Sequence, residues 1–157
     1  MEEDLHRALK GYFASTPSEE ISALVSSRRI SLRFLDYFVT QYARSHNTVY
    51  AITAPDGEVR PFFVYSHYKH NVKAYTKKWF DPFSRGPPVE FAGVKTTLGQ
   101  MNFLRWALAN GVIEYAEKHA KDIERAMRSK TTPSSRKVSG CAHRKPSIAR
   151  LVVTLRF

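Results

Sequence analysis

Basic side chains recur along one stretch of this sequence at the spacing of a helix. Lysines stand four positions apart, a further lysine is adjacent to the last of them, and an arginine follows. These residues are Lys69, Lys73, Lys77, Lys78 and Arg85. Because side chains four positions apart lie on the same face of a helix, the spacing predicts a cationic strip. Such a strip suits the phosphates of a nucleic acid or another polyanion.

Aromatic residues share this stretch and have two interpretations. Tyr68, Tyr75 and Trp79 fall with Val72 at helical spacing. If the rings are exposed, they can stack on the bases of a single strand. If they belong to the core, the lysines form an ordinary solvated face, because aromatic stripes usually pack. At the level of the sequence both interpretations stay open.

A second set of cations lies near the end of the sequence. From Arg125 to Phe157 there are nine Lys and Arg residues and no acidic residue. The candidate binding residues there are Arg136, Lys137, Arg144, Lys145 and Arg150. An acid-free basic segment has no role in building a core, so we expect this segment to bind a partner.

Residues that could support catalysis or bind a metal are scattered. His67 and His70 are three apart, but no third ligand follows at a suitable spacing. Acidic residues occur singly, and Asp81 before Pro82 is typical of a turn residue that bonds its own backbone. The sequence contains no phosphate-binding loop and no nucleophile motif. It therefore predicts a non-enzyme with no catalytic residue, no metal and no cofactor.

The composition is that of a folded and strongly basic protein. The 157 residues carry a net charge of +11, and 43% of them are hydrophobic. This length favours one domain, and the charge favours a polyanionic partner, meaning nucleic acid, an anionic membrane surface or an acidic protein face. Cys141 is the single cysteine, which favours a reducing compartment. No stretch has the features of a signal peptide or a transmembrane segment, so we expect a protein used on the cytosolic side.

The elements that would position these residues begin with amphipathic segments. A helix is predicted over Glu2 to Phe13, a second short helix has Ser18 as its cap, and Ser31 caps a core helix that runs to Arg44. The β-branched and aromatic residues from Thr48 to Thr53 and from Val59 to Tyr65 flank a Pro-Asp-Gly turn and predict a β-hairpin. The basic helix follows this hairpin.

The second half of the chain predicts a strand and a helical hairpin. Val89 to Phe91 is interpreted as a short strand that rejoins the β-hairpin. Thr97 and Gln100 have the spacing of a capping box, in which each side chain bonds the other residue's backbone. They open a helix that is apolar on nearly all sides and ends at Asn110-Gly111. One last helix is predicted from Val112 to Arg128.

Together these elements predict an α+β fold, which is a mainly helical single domain with a small antiparallel sheet and a basic C-terminal arm. The predicted parts are a helical N-terminal extension over 1–28, a folded core over 29–128 and a flexible basic arm over 129–157. At the end of the arm, apolar residues alternate with Arg150, Val152, Thr154 and Arg156. This period of two is typical of a half-buried strand, which would join the chain's own sheet or a partner's sheet edge.

Three segments of the sequence together carry a family resemblance, and they are ISLRFLDYFVTQYA, VYSHYKHNVKAYTKKWFDPFSR and TTLGQMNFLRWALANGVIEY. They resemble a family of small proteins of nucleocytoplasmic large DNA viruses, which include algal and amoebal giant viruses, and the resemblance covers Ile30 to Lys118. Within them, KKxFDPF and TTxGQxNFxRWA are the most specific patterns. The resemblance implies a viral source and carries over no catalytic residue.

A viral source favours two functions of different classes. The first is a non-enzymatic virion structural protein, such as a minor capsid component, whose basic surface and extended termini bind other virion proteins. The alternative is a DNA-binding protein that packages or regulates the genome through non-specific phosphate contacts. We prefer the structural role because no groove-reading motif is present. We therefore expect the protein in the virion, and in the host cytoplasm during assembly, while the sequence carries no signal for its oligomeric state.

Overall fold

Helices make up most of the described chain. The structure is a computed structural model, and it describes residues 1–131, except for the side chains of 130 and 131. The helices are α1 (Glu2–Phe13), α2 (Ser18–Val25), α3 (Leu32–Tyr37), α4 (Ala43–Ser45), α5 (Val64–Trp79), α6 (Leu98–Ala109), α7 (Val112–Lys118) and α8 (Ala120–Thr131), and a π-helical turn, Phe38–Tyr42, joins α3 to α4. The strands are β1 (Val49–Thr53), β2 (Val59–Phe63), β3 (Pro88–Phe91) and β4 (Val94–Thr97). The predicted α+β class is confirmed.

The strands form two separate antiparallel hairpins. β1 pairs with β2 in a register that places Val49 opposite Phe63, which confirms the predicted hairpin. β3 does not rejoin this hairpin, so that prediction is wrong, and its Phe91 lies opposite Val94 of β4. Ala92 and Gly93 form the two-residue turn between β3 and β4, with positive φ angles of 49° and 80°. Such a turn is the tightest connection of two antiparallel strands.

The hydrophobic core is centred on α6. Met101, Phe103 and Ala107 are fully buried, as the apolar pattern of this helix predicts. α1 packs against α6. The first two helices contribute Leu5, Leu9, Phe13, Ile21 and Leu24 to the same core. The segment predicted as an N-terminal extension is therefore packed with the elements that follow it.

Two predicted helix starts have different outcomes. Ser31 caps α3 as predicted, because its Oγ accepts a hydrogen bond from the Phe34 amide at 3.3 Å. Ser18 does not cap α2, since it is the first helical residue and Pro17 stands in the cap position. The Pro17 carbonyl accepts hydrogen bonds from the amides of the first turn, so the helix begins one residue earlier than predicted.

The last predicted helix is divided at His119. This residue leaves the helical conformation, with φ −107° and ψ 19°, where α7 ends. Its ring stacks on the ring of Tyr115, and its Nδ1 lies 3.0 Å from the Tyr115 carbonyl oxygen. The prediction of one continuous helix from Val112 to Arg128 is therefore wrong. The preceding turn at Gly111, with φ 67°, is confirmed.

Candidate polyanion-binding face

The predicted lysines of α5 are exposed, and they form no ion pair within residues 1–131. α5 itself contains no Asp or Glu. Acidic residues elsewhere pair with arginines, as Glu20 and Glu117 do with Arg29. The exposed lysine side chains of this helix, which form no ion pair within the described residues, are called the α5 basic face below, and they are those of Lys69, Lys73, Lys77 and Lys78.

A kink at Thr76 divides the α5 basic face. Thr76 has φ 61° and ψ 167°, a conformation that a β-branched residue rarely adopts. Lys69 and Lys73 precede the kink, whereas Lys77 and Lys78 follow it. The lysines therefore form two pairs instead of one continuous row. In the second pair, the Lys78 Nζ lies 4.4 Å from the centre of the adjacent Trp79 ring, in a cation–π contact.

The aromatic residues of α5 pack against the core. Tyr68, Tyr75 and Trp79 are each partly buried. The buried Phe80 ring lies 6.0 Å from the Tyr68 ring and 6.4 Å from the Tyr75 ring, measured between centroids. Burial raises the pKa of Tyr68 to about 12. This placement favours the core interpretation of the stripe over stacking on bases.

Arg85, the remaining predicted cation of this region, is already engaged by Asp81. Its Nε donates to Asp81 Oδ2 at 2.8 Å, and its Nη2 donates to Oδ1 at 3.1 Å. This hydrogen bonding to Asp81 raises the pKa of Arg85. The buried Asp81 also accepts a hydrogen bond from the Phe83 amide at 3.1 Å, which confirms its predicted role in the turn. Arg85 is thus exposed but partnered, in contrast to the lysines of α5.

Hydrogen bonds fasten the turn after α5 to the first turns of α6, and this connection is called the turn lock below. They run from Asn102 Nδ2 to the Trp79 carbonyl at 2.8 Å, from Gln100 Nε2 to the Pro82 carbonyl at 3.1 Å, and from the Asp81 amide to the Gly99 carbonyl at 3.1 Å. Both amide side chains are buried, where an unpaired polar group would be costly. The turn lock therefore joins the two sequence patterns KKxFDPF and TTxGQxNFxRWA to each other.

The predicted capping box is present only in part. The Thr97 Oγ1 accepts a hydrogen bond from the Gln100 amide at 3.2 Å, so Thr97 caps α6 as predicted. The Gln100 side chain does not reach back to the Thr97 amide, and that half of the prediction is wrong. Its Oε1 accepts a hydrogen bond from Thr96 Oγ1 at 2.7 Å, while its amide nitrogen contributes to the turn lock. The sequence pattern does not indicate these two bonds of Gln100. The burial of its side chain does, because both the oxygen and the nitrogen of a buried amide need hydrogen-bond partners.

A cleft of about 460 Å³ opens beside the turn lock. Its lining includes the cationic Lys77, Lys78 and Arg85, together with the carboxylate of Asp81. Nearby, burial raises the pKa of Asp36, and the charge of Asp81 raises it further, while Arg85 and Lys77 oppose this rise. The cleft is therefore basic at its rim and contains its own counter-charge.

Neither a metal-binding group nor a membrane span occurs in residues 1–131. No set of three His, Cys, Asp or Glu side chains is close enough there to hold a metal ion. None of the helices in this range is both long enough and apolar enough to cross a bilayer. The predicted tail residues Arg136, Lys137, Arg144, Lys145 and Arg150, like the terminal strand, lie outside the described residues.

Fold and site together define a small basic α+β protein that presents a cationic helix to solvent. The chain belongs to a family of unknown function, DUF7197, which it matches over residues 5–147. It is similar to an uncharacterized protein of Acanthamoeba polyphaga mimivirus, with 36% identity over 118 residues. The match covers 69% of this chain and 45% of the relative, so the chain spans less than half the length of that relative. No solved structure matches the chain.

Proposed function

We propose that this protein is a non-enzymatic virion component, of the minor capsid or shell-associated class, which binds acidic neighbours through its α5 basic face. The observation that carries the proposal is the exposure of Lys69, Lys73, Lys77 and Lys78 on a helix without acidic residues. Cations that form no ion pair within the described fold create a positive surface potential. Such a potential attracts an acidic partner and orients it during the encounter.

The viral relative supports the source that this proposal assumes. A mimivirus protein is identical to this chain at 36% of the 118 aligned positions. The proposal places the protein in the virion, and in the host cytoplasm while particles assemble. Its partners would be other virion proteins, and an anionic membrane surface inside the particle would offer the same negative charge.

The second candidate is a DNA-binding protein that packages or regulates the viral genome. The distribution of charge favours it, since 6 of the 25 Lys and Arg residues and none of the 14 Asp and Glu residues follow residue 131. Because Tyr68 and Tyr75 pack against the core, the α5 basic face would bind DNA through contacts of its lysines with phosphates. Contacts of that kind position a protein on DNA without reading its sequence, so this candidate predicts binding with little sequence preference.

The experiment that separates the two candidates is fractionation of purified virus particles. Particles would be opened at moderate and at high salt, and the chain would be followed by mass spectrometry in the shell, DNA and soluble fractions. Retention with the shell at high salt supports the structural role. Release from the DNA as salt rises supports genome binding, because phosphate contacts weaken steeply with salt. Absence from the particles overturns the structural role and the packaging role, and it leaves regulation of the genome inside the host cell.

A further inference from the structure

The hydrogen bonds of the first hairpin determine which backbone groups of β1 face outward. At one end the Val64 amide donates to the Thr48 carbonyl at 3.2 Å, and at the other the Ala54 amide donates to the Glu58 carbonyl at 2.8 Å. Residue pairs in an antiparallel ladder alternate between bonded and non-bonded, so the pairs at even positions of β1 are the bonded ones. The amides and carbonyls at its odd positions therefore point away from β2.

The two outer edges of this hairpin differ. On β1 the outward groups belong to Val49, Ala51 and Thr53, and within residues 1–131 none of them bonds backbone outside the hairpin. On β2 the residue opposite Ala51 is Pro61. Proline has no N–H to donate and is typical of an edge that is protected against further pairing. The edge of β1 is therefore the one that can accept another strand.

A groove of about 400 Å³ runs beside this open edge. One side of its lining is β1, and the other is the corner between α6 and α7, including Leu108, Glu114 and Tyr115. The hydroxyl of Tyr50 donates to the Asn110 carbonyl at 2.6 Å, which ties β1 to this corner. A sheet edge bordered by a helix is a typical site for an extended segment, which gains backbone hydrogen bonds from the strand and side-chain contacts from the groove.

We propose that this groove binds residues 149–157 of the same chain as an added strand on β1. In this segment every odd position holds an apolar residue, and two of the four even positions hold an arginine. The apolar residues are Ala149, Leu151, Val153, Leu155 and Phe157. Alternation of this kind directs one apolar row to one face of a sheet, which suits the side of the groove lined by Leu108 and Tyr115.

Charge and chain length are compatible with this occupant. The segment has Arg150 and Arg156 and no acid, and the groove wall carries the exposed Glu114, although Lys118 also lines it. Between the last described residue and the segment lie 17 residues. When extended they span up to about 60 Å, which exceeds the diameter of about 36 Å of a compact sphere with the radius of gyration of about 14 Å expected for 131 residues. The segment can therefore reach the groove.

The test measures amide hydrogen exchange by NMR in the full-length protein. If the segment occupies the groove, the amides of Val49, Ala51 and Thr53 exchange slowly in the wild-type chain. Val153→Asp is expected to speed their exchange at least about tenfold. The matched control is Val152→Asp, which places the same charge on the opposite face and is expected to leave exchange unchanged. The Tyr50 and Ile52 amides, which bond β2, report whether the hairpin is intact in each variant.

Several results would overturn the proposal. Rapid exchange at all the odd positions of β1 in the wild type would show an empty edge. Equal effects of Val153→Asp and Val152→Asp on exchange in β1 would show that the alternation of apolar residues in the segment has no role in binding. Protection that increases with protein concentration, together with a dimer in sedimentation, would identify a second copy as the occupant. Protection that appears only after addition of virion proteins would identify a partner's strand.

Discussion

Gly99 and Lys78 approach each other more closely than a side chain at position 99 would allow. A Cβ atom on Gly99 would lie 2.8 Å from the Lys78 carbonyl oxygen. Glycine is the residue that permits such an approach of two backbone segments. The contact brings the end of α5 against the start of α6, where the turn lock forms.

Gly99→Ala is expected to lower the free energy of unfolding by about 1–3 kcal/mol, because the added methyl group must displace backbone. Urea unfolding followed by circular dichroism would measure this change. The control is Gly11→Ala in α1, where an added Cβ would meet no atom within 4 Å. This control is expected to raise stability by about 0.5–1 kcal/mol, since alanine favours a helix. Unchanged stability of the Gly99 variant would contradict the contact.

Asn102→Ala is expected to cost about 1–3 kcal/mol, because it leaves the partly buried Trp79 carbonyl without its donor. The same side chain also accepts a hydrogen bond from Arg105 Nη2 at 2.7 Å. Asn71→Ala is the matched control, since the Asn71 amide bonds the His67 carbonyl on the exposed side of α5. Its effect is expected to stay within about 0.5 kcal/mol. Thermal unfolding of both variants would compare them, and similar losses would argue against the turn lock.

Asp36→Asn is expected to stabilise the protein at neutral pH and to have little effect in acid. Burial, followed by the charge of Asp81, raises the pKa of Asp36 in the folded state. The folded protein therefore keeps this proton to a higher pH than the unfolded chain does, and ionisation of Asp36 destabilises the fold as pH rises through the raised pKa. The urea concentration at the midpoint of unfolding would be measured at about pH 3 and at about pH 7. These two values lie on either side of the pH range in which an aspartate ionises.

The same substitution at the exposed Asp122 is the control for this measurement. A stability difference between the Asp36 variant and the wild type that does not grow from acid to neutral pH would show that Asp36 ionises without a cost to the fold.

Lys69→Gln combined with Lys73→Gln is expected to weaken binding of a short DNA duplex used as a polyanion probe. If both lysines contact phosphates, the slope of log K against log salt concentration should fall in magnitude by about 2. Fluorescence anisotropy over a range of salt concentrations would measure this slope. Lys10→Gln with Lys95→Gln removes the same charge from exposed positions outside α5. Equal slopes for the two double variants would show that binding depends on net charge and not on the α5 basic face.

Features that depend on residues close together in the sequence could be predicted from it. The apolar periodicity of α6 and the caps at Ser31 and Thr97 involve residues within a few positions of each other. The strand β4 was missed because its Thr97 also fits a helix cap, and the Ala92-Gly93 turn lacks the Asn-Gly or Asp-Gly pair that usually announces a hairpin.

The contacts of the candidate site depend on segments that are distant in sequence. The bonds of Gln100 and Asn102 to the turn after α5 have no local signal, because they require the approach of two backbones. The helical spacing predicted which lysines and aromatic residues lie on α5. The burial of Tyr68 and Tyr75 could not be predicted in this way, because it depends on the other elements that pack against the helix. The contact of Asp81 with Arg85 had no such signal either, because a spacing of four residues brings opposite charges together on a helix, whereas these two residues lie in the loop after α5.

The turn lock also has a kinetic consequence. Its side-chain bonds join residues only 23 and 18 positions apart, and closing such short loops costs little chain entropy. Proteins rich in near-neighbour contacts fold fast, so we expect α5, the β3–β4 hairpin and α6 to assemble before α1 docks on α6. Pulse-labelled hydrogen exchange during refolding would show early protection in α5 and α6, and protection of α1 first would contradict this order. The segment that carries the patterns KKxFDPF and TTxGQxNFxRWA would then serve as the folding nucleus of the domain.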